Sequence, residues 1–206
     1  MIAIIDYGVG NLFSLKSSFQ AIGYEAVVTA DPAEIAQADH IVLPGVGAFE
    51  DAARKLRETG MAEVVLREAR AGKPLLGICL GMQMLFEKSY EYGEHEGLGL
   101  VKGAVRPIRE CHERNGISMK IPQIGWNSLT FGGKESPLWR YIKEGDYVYF
   151  VHSYYGADCD ESVIATTEYG VPITAAVASG NVYGTQFHPE KSGKVGLAIL
   201  RAFCEI

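Results

Sequence analysis

The chain has 206 residues, of which 48% are hydrophobic and 21% charged, and this is typical of one folded globular domain over residues 1–206. Its 19 basic and 25 acidic residues give a net charge of −6, which offers no basic surface for a nucleic acid and argues against such a partner. The four cysteines form no CxxC pair, so the sequence predicts reduced thiols, no disulfide scaffold and no metal site.

The first part of the chain alternates short apolar runs with segments of helical periodicity. The apolar runs predict strands at residues 2–5, 26–29, 41–43 and 74–78. Between them, apolar spacing predicts helices over 12–22, 32–36 and 61–70, and another helix from residue 49 onward. Unbroken apolar strands that alternate with helices are typical of a parallel sheet covered on both faces. We therefore predict an α/β fold with a mostly parallel central sheet flanked by helices.

The pattern changes near residue 100 to short β-rich segments separated by Gly, Asp or Asn. Strands are predicted at 101–108, 126–131, 147–152, 163–167, 173–178 and 181–187, with a hairpin turn at 179–181 and a last helix over 192–203. We expect these strands to add an antiparallel β extension to the sheet.

Two stretches without charged residues need comparison with membrane spans. Residues 74–86 are too few for the roughly 20 apolar residues that a bilayer requires. Residues 169–189 are interrupted by Gly170, Pro172 and Gly180, which predicts strands broken by turns. The N-terminus has no basic region, and Asp6 closes its apolar run, so no signal peptide is expected. We therefore expect a cytoplasmic protein that does not contact a membrane.

The segment Gly77-Ile78-Cys79-Leu80-Gly81 follows a predicted strand and precedes a predicted helix at 82–86. Glycines two residues on either side of a nucleophile permit the strained strand-to-helix turn called a nucleophile elbow. In such a turn the Cys79 sulfur would lie at a helix N-terminus, which favours the thiolate, and the Leu80 N–H could face a developing oxyanion. The alternative is a buried cysteine that packs beside two glycines.

A reactive thiol needs an acid–base partner, and the chain has five histidines. His188 ends a predicted strand, and Glu190 follows closely enough to accept the second imidazole N–H and orient the ring. The alternative is a helix start in which Pro189 and Glu190 serve the first turn. His152, at the end of another predicted strand, is a second candidate. The remaining histidines begin a strand or lie in charged loops: His40, His95 and His112.

Two glycine-containing turns begin a dinucleotide-binding motif but do not complete it, Gly8-Val9-Gly10 and Gly45-Val46-Gly47. No GxxxxGKS or GxxxxGKT sequence is present, so nucleotide chemistry is not predicted. The second turn follows a strand of the same predicted sheet as Cys79. Its flexible backbone can therefore present N–H groups toward the elbow.

Six sequence blocks together resemble the class-I (triad) glutamine amidotransferases. GICLGMQ at 77–83 and FHPE at 187–190 carry the resemblance to the class. DYGVGNLFSLKSSF at 6–19, LPGVGAFEDA at 43–52, GWN at 125–127 and FVHSYY at 150–155 are similar to the glutaminase subunits of imidazole glycerol phosphate synthase. Relatives that serve anthranilate or GMP synthesis typically carry His where this chain has Met82. The resemblance therefore implies a class-I amidotransferase fold and a role in histidine biosynthesis.

The resemblance implies hydrolysis of glutamine to glutamate and ammonia, with no cofactor and no metal. The implied catalytic nucleophile, acid–base and orienting carboxylate are Cys79, His188 and Glu190. The implied oxyanion hole uses the backbone of Leu80, Gly45, Val46 and Gly47. The implied glutamine-binding residues are Gln83, Glu91, Ser153 and Tyr154. For Glu91, a solvated charge in an acidic loop is the alternative.

The resemblance also implies a heterodimer, because ammonia is lost as ammonium unless it passes directly to a synthase. The family's partner is a (β/α)₈ cyclase subunit that forms imidazole glycerol phosphate and AICAR. The implied interface residues are Asn11, Trp126 and Lys191. Trp126 could equally be a core residue, and Lys191 a solvated charge. We expect the isolated chain to rest with a carbonyl of segment 44–47 turned toward Cys79 until the liganded partner shifts it.

The sequence leaves open three alternatives to a glutaminase subunit of imidazole glycerol phosphate synthase. They are a glutaminase subunit of another synthase, such as anthranilate synthase, a thiol hydrolase that needs no partner, and a non-catalytic subunit that keeps the elbow for packing. Glutamine hydrolysis with and without a synthase subunit separates them.

Overall fold

Strands and helices alternate along the chain in the computed structural model, which describes residues 1–206. The strands are β1 (Ile2–Ile5), β2 (Ala26–Thr29), β3 (His40–Leu43), β4 (Leu75–Ile78), β5 (Phe86–Ser89), β6 (His95–Glu96), β7 (Val101–Pro107), β8 (Gln123–Ser128), β9 (Tyr147–His152), β10 (Tyr154–Ala157), β11 (Val163–Glu168), β12 (Pro172–Ser179) and β13 (Val182–Thr185). The helices are α1 (Leu12–Ala21), α2 (Pro32–Gln37), α3 (Phe49–Glu58), α4 (Met61–Arg70), α5 (Leu80–Leu85), α6 (Ile108–Arg114) and α7 (Gly193–Cys204), with short 3₁₀ turns at Pro137–Trp139 and Pro189–Lys191. None of the helices is both long and apolar enough to cross a membrane.

A seven-stranded sheet forms the centre, in the order β11-β12-β13-β4-β3-β1-β2. The strands from β13 to β2 are parallel, and β12 and β11 continue the sheet antiparallel at one edge. This confirms the predicted α/β fold with a mostly parallel sheet and an antiparallel extension. Because β3, β4 and β13 are neighbours, the loops that leave their carboxyl ends meet at one edge of the sheet.

Two hydrophobic clusters cover the two faces of this sheet. Along β1, Ala3 and Ile5 join one cluster with residues of α2, α3 and α4, whereas Ile2 and Ile4 join the other with residues of α1 and α7. Successive strand residues point to opposite faces, so a strand covered on both sides is apolar at every position. This requirement explains the unbroken apolar runs from which these strands are predicted.

Two smaller sheets hold the remaining strands, one in the order β10-β7-β5-β6 and one formed by β8 and β9. The predicted strand at 126–131 is wrong in its limits, because β8 spans Gln123–Ser128. It pairs Gln123 with His152 and Ser128 with Tyr147 along β9. The predicted antiparallel extension is therefore divided between the edge of the main sheet and these two small sheets.

Helix α6 is absent from the predicted elements, and the predicted strand at 101–108 is wrong at its last residue. β7 ends at Pro107, and Ile108 and His112, one helical turn apart, are both buried. His112 therefore lies on a packed helix, not in the expected charged loop. The predicted helix at 82–86 is also displaced, since α5 begins at Leu80 and Phe86 opens β5.

Candidate active site

Cys79 lies at the turn between β4 and α5, with φ of 55° and ψ of −112°. A positive φ is strained for a residue with a side chain, and it persists only where the surroundings hold it. The Cys79 N–H donates to Thr185 O at 2.7 Å, which ties the turn to the adjacent strand β13. The segment therefore has the strained strand-to-helix geometry of a nucleophile elbow.

Three glycines allow this turn to pack closely against the end of β3. A Cβ atom on Gly81 would overlap Leu43 O, and one on Gly77 would lie 2.7 Å from Gly81 O. A Cβ atom on Gly45 would lie 2.7 Å from Gly81 N. These neighbours are backbone atoms of packed elements, so they have little freedom to move aside. The glycine spacing around Cys79 thus has a steric cause.

His188 and Glu190 approach Cys79 from the neighbouring strand. Parallel pairing of β13 with β4 sets Thr185 opposite Ile78, so the residues after both strands lie side by side. His188 Nδ1 lies 2.8 Å from Glu190 Oε1, and both side chains are almost completely buried. The carboxylate can only accept, so Nδ1–H donates to it and Nε2 remains for proton exchange.

The surroundings of His188 favour its protonated form. Burial by itself lowers the pKa of this imidazole, but contacts with Cys79 and Glu190 outweigh burial and raise the pKa to about 9. A positively charged imidazole attracts negative charge on the neighbouring sulfur. The arrangement can therefore support an imidazolium beside a thiolate.

His152, the second candidate for the acid–base role, is already engaged by other residues. Its Nδ1 lies 2.8 Å from Tyr154 O, and its Nε2 lies 2.9 Å from Gln123 Oε1. Burial lowers the pKa of His152 to about 4. With both ring nitrogens occupied, His152 has no free nitrogen for proton transfer, and the geometry favours His188.

An open cavity of about 730 Å³ lies in front of Cys79. Ten of the residues expected at the site line it: Val46, Gly47, Cys79, Leu80, Gln83, Glu91, Ser153, Tyr154, His188 and Lys191. Glu190 bonds His188 but does not line the cavity, and Gly45 lies against the elbow. Asn11 is exposed on the surface, and Trp126 is 52% exposed, which removes the alternative that Trp126 is a core residue.

Comparison with known proteins identifies the family of the chain. The sequence profile described as "Glutamine amidotransferase class-I" matches residues 3–205. The chain belongs to this family. PurLQS from Thermotoga maritima, a solved structure, has a TM-score of 0.75 at 20% identity and covers 99% of this chain and 97% of that one, so the amidotransferase shares its fold.

Two curated relatives define the branch of the family. "Imidazole glycerol phosphate synthase subunit HisH" of Wolinella succinogenes is 48% identical over 207 residues and covers 100% of both chains. The protein of the same name from Caldanaerobacter subterraneus subsp. tengcongensis is 51% identical and covers 100% of this chain and 98% of that one. These full-length matches assign the amidotransferase to the HisH branch and confirm the family predicted from its motifs.

Gln83 is buried in the cavity wall of the amidotransferase. Its Nε2 donates to Tyr154 O at 3.1 Å and to Gln186 Oε1 at 3.0 Å. Both amide hydrogens are therefore used inside the protein. Its carbonyl oxygen is the group that remains for a ligand in the cavity, in keeping with the expected place of Gln83 at the substrate.

Glu91 is also buried in this wall, although the sequence left open a solvated charge. Its Oε2 accepts from the Phe49 N–H at 2.7 Å. Burial raises the pKa of Glu91. The hydrogen bond from the Phe49 N–H and the nearby His95 lower this pKa, but by less than burial raises it. No lysine or arginine forms an ion pair with Glu91. A buried carboxylate without a cationic side chain is suited to a cationic group of a ligand.

The segment Pro44–Phe49, which connects β3 to α3, is fixed at both ends. The Tyr7 hydroxyl donates to Pro44 O at 2.7 Å, and the Phe49 N–H donates to Glu91. Between these points, the N–H groups of residues 45–47 make no hydrogen bond within the chain. Gly47 has φ of +92° and open space around it. The middle of the segment, which faces the cavity, is therefore the part that is free to turn.

Two residues in contact with the site are absent from the predicted set. Gln186 donates from Nε2 toward Cys79 Sγ at 3.8 Å and is completely buried. Tyr7 holds the Pro44 carbonyl, and burial together with Cys79 raises the pKa of its hydroxyl. The sequence signal for Gln186 was a polar amide at the end of an apolar strand, directly before the FHPE block. Tyr7 lies in the DYGVGN block, and nothing in the sequence indicates that its hydroxyl bonds to the Pro44 carbonyl.

Proposed function

We propose that the chain is the glutaminase subunit of a cytoplasmic imidazole glycerol phosphate synthase and hydrolyses glutamine to glutamate and ammonia. The ammonia passes to a (β/α)₈ cyclase subunit, which forms imidazole glycerol phosphate and AICAR in histidine biosynthesis. The observation that carries the proposal is a strained Cys79 beside a buried His188–Glu190 pair in the wall of an open cavity. The names of the full-length relatives support the choice of synthase, and four free cysteines support the cytoplasm.

The first half of the reaction forms a thioester on Cys79. The thiolate attacks the side-chain carbonyl carbon of glutamine, and the carbonyl oxygen becomes an oxyanion. The Leu80 N–H and backbone N–H groups of segment 45–47 receive this negative charge. His188 gives its Nε2 proton to the nitrogen as the C–N bond breaks, so that ammonia leaves and a glutamyl thioester remains.

The second half of the reaction hydrolyses the thioester. His188, now neutral at Nε2, removes a proton from water, and the oxygen attacks the thioester carbon. The tetrahedral intermediate breaks its C–S bond, which releases glutamate and returns the Cys79 thiolate beside protonated His188. Glu190, 2.8 Å from Nδ1, holds the ring in place and stabilises its positive charge in both halves.

Glutamine fits the cavity through its polar ends. Glu91, a buried carboxylate with no lysine or arginine partner, binds the α-ammonium group. The carbonyl oxygen of Gln83 accepts a hydrogen bond from the substrate, since both hydrogens of its own amide are used elsewhere. Ser153 and Tyr154 also line the cavity. These contacts hold the side-chain amide in front of Cys79.

The synthase subunit covers the mouth of the cavity. Large apolar side chains are exposed there and nearby: Val46 and Tyr92 on the cavity wall, and Ile124 and Trp126 on one face of β8. Exposed apolar groups concentrated in one region are typical of a protein interface. Asn11, Trp126 and Lys191 lie in this interface, and the enclosed mouth passes ammonia directly to the cyclase.

The synthase also controls the oxyanion hole. In the isolated chain, segment 44–47 rests with a carbonyl toward Cys79, and the cyclase with its bound ligand shifts the population toward the N–H orientation. The free N–H groups of residues 45–47 and the 44% exposure of Val46 support this control. The partner can touch Val46 directly, and rotation of the peptides on either side of Val46 breaks no hydrogen bond.

A glutaminase assay of the purified chain, alone and with the cyclase subunit and its ligand, tests the proposal. We expect low activity alone, stimulation mainly in kcat with the cyclase, and none with Cys79→Ala. Full activity without a partner would favour the thiol hydrolase. Stimulation by an anthranilate synthase subunit in place of the cyclase would assign the chain to another synthase. Absence of glutaminase activity in every combination would refute the proposal.

A further inference from the structure

The side chain of Gln186 is completely buried beside the nucleophile. Its sequence neighbours Thr185 and Phe187 are also completely buried, and its backbone N–H donates to Ala175 O on β12 at 2.8 Å. A buried amide costs free energy unless its oxygen and its nitrogen both find partners. The partners of Gln186 therefore indicate why a polar side chain occupies this apolar position.

A chain of hydrogen bonds determines which way the Gln186 amide points. Tyr154 O can only accept, so the NH₂ group of Gln83 faces it at 3.1 Å. The second hydrogen of the same NH₂ group points to Gln186 Oε1 at 3.0 Å. Gln186 Nε2 is thereby left 3.8 Å from Cys79 Sγ. Turning the Gln186 amide around would bring two NH₂ groups together, so the donor must face the sulfur.

We propose that Gln186 is a positioning residue for the nucleophile: its Nε2–H donates to Cys79 Sγ, holds the sulfur in place and favours the thiolate. The inference rests on the proposed function, because it takes Cys79 as the group that attacks glutamine. A hydrogen bond becomes stronger when its acceptor carries a charge, so the contact stabilises the thiolate more than the thiol. Gln83, Gln186 and Cys79 thus form one connected set, anchored on the main chain at Tyr154.

None of the other titratable groups near Cys79 makes a hydrogen bond with Gln186. His188, after β13, and Tyr7, after β1, act on Cys79 directly. Glu190 and His152 act on His188. A change in the pH dependence of Cys79 in Gln186→Met, which adds no charge, therefore reports the amide, whereas Gln186→Glu adds the effect of a negative charge. A role of Gln186 in packing alone lowers stability and leaves that pH dependence unchanged.

The test is the pH dependence of Cys79 alkylation by iodoacetamide in the full-length chain, followed for each cysteine peptide by mass spectrometry. Gln186→Met keeps the side-chain length and donates no hydrogen bond. Gln186→Glu keeps an oxygen for the Gln83 amide but loses the N–H. Thr167→Val is the matched control, because it removes a buried hydrogen bond to Ser128 O, 2.9 Å long, on β11. Circular dichroism compares the fold and thermal stability of all three variants.

Both Gln186 variants should raise the apparent midpoint of Cys79 alkylation by about one pH unit, which makes alkylation about tenfold slower below the midpoint. With the cyclase present, kcat/KM for glutamine should fall about tenfold, with KM changed less than about twofold. Thr167→Val should leave the midpoint unchanged. In the wild-type chain, the side-chain amide resonance of Gln186 should move with the same midpoint as Cys79 alkylation, a readout that needs no variant.

An unchanged midpoint in the folded Gln186 variants, or a Gln186 resonance that does not follow Cys79, would overturn the inference. These outcomes are separate from failure of the proposed function. If the wild-type chain and cyclase hydrolyse no glutamine, the proposed function fails, whereas the alkylation midpoint and the amide resonance still decide whether Gln186 acts on the sulfur.

Discussion

Replacing Gly47 by alanine tests whether segment 44–47 takes part in catalysis. Gly47 has φ of +92°, and a Cβ atom there would meet nothing within 4 Å, so the change strains the backbone without a clash. Gly72 is a matched control, because its φ is also +92° and its surroundings are equally open. It precedes β4, at the edge of the sheet opposite the cavity. Gly45 is unsuitable, since a Cβ atom there would press on Gly81 in the elbow.

The two alanine variants should lose similar stability but differ in rate. A left-handed conformation costs a residue with a Cβ atom about 1 to 2 kcal/mol. At this chain length, each kcal/mol lowers the midpoint of thermal unfolding by about 2 to 4 °C. Losing one donor of an oxyanion hole lowers kcat by about 10² to 10³. We therefore expect Gly47→Ala to lower partner-stimulated kcat about 100-fold, and Gly72→Ala to leave it unchanged.

Thermal unfolding followed by circular dichroism measures the strain in both variants, and glutamate release with saturating cyclase and ligand measures kcat. Equal stability losses make the comparison valid, because the backbone strain is then the same. Equal kcat values in Gly47→Ala and Gly72→Ala would refute the reasoning. Gly47 would then serve only the turn between β3 and α3, and the oxyanion would have to be received by Leu80 alone.

Cys79→Ala should lower the pKa of His188 from about 9, because Glu190 is then the one remaining group that offsets the lowering of this pKa by burial. An NMR titration of the imidazole measures the pKa, and an unchanged value would contradict a contact between His188 and the thiol. An activated-amide analogue of glutamine should label Cys79 and spare Cys159 and Cys204, because burial raises the pKa of these two thiols to about 11 and about 12. Comparable labelling of all three peptides in mass spectra would exclude Cys79 as the nucleophile. Glu190→Gln should lower kcat less than His188→Ala, because an oxygen still accepts the Nδ1–H; equal losses of kcat would show that this hydrogen bond alone does not support catalysis.

The parallel part of the fold can be predicted from the sequence because its strands are buried on both faces. A run such as Ile2–Ile5 has no polar position that an exposed face could use. Helix α4 likewise ends at Arg70, close to Gly72, which is a typical residue after a helix C-terminus. The segment around Cys79 is recognisable for a steric reason, since side chains at positions 77 and 81 would collide with packed backbone.

The second half is harder to predict because tertiary contacts decide its elements. β10 is a strand because Tyr154 and the residues after it pair with β7, not because of its own pattern. Helix α6 is too short for a clear period and is set by Pro107 before it and the burial of Ile108 and His112. The role of Gln186 depends on the register of β13 against β4, which no local pattern contains.

Contacts with neighbouring elements also decide which part of the segment Pro44–Phe49 can move. Tyr7 holds the carbonyl of Pro44, and Gly45 is packed against the elbow, so the start of the segment is fixed to β1 and α5. Glu91 holds the Phe49 N–H, so its end is fixed as well. The peptides between Gly45 and Ala48 make no hydrogen bond, Val46 and Gly47 line the cavity, and Val46 is 44% exposed. Under the proposed function, the α-ammonium group of glutamine and the Phe49 N–H share the Glu91 carboxylate, and this shared carboxylate links occupation of the cavity to the end of segment Pro44–Phe49.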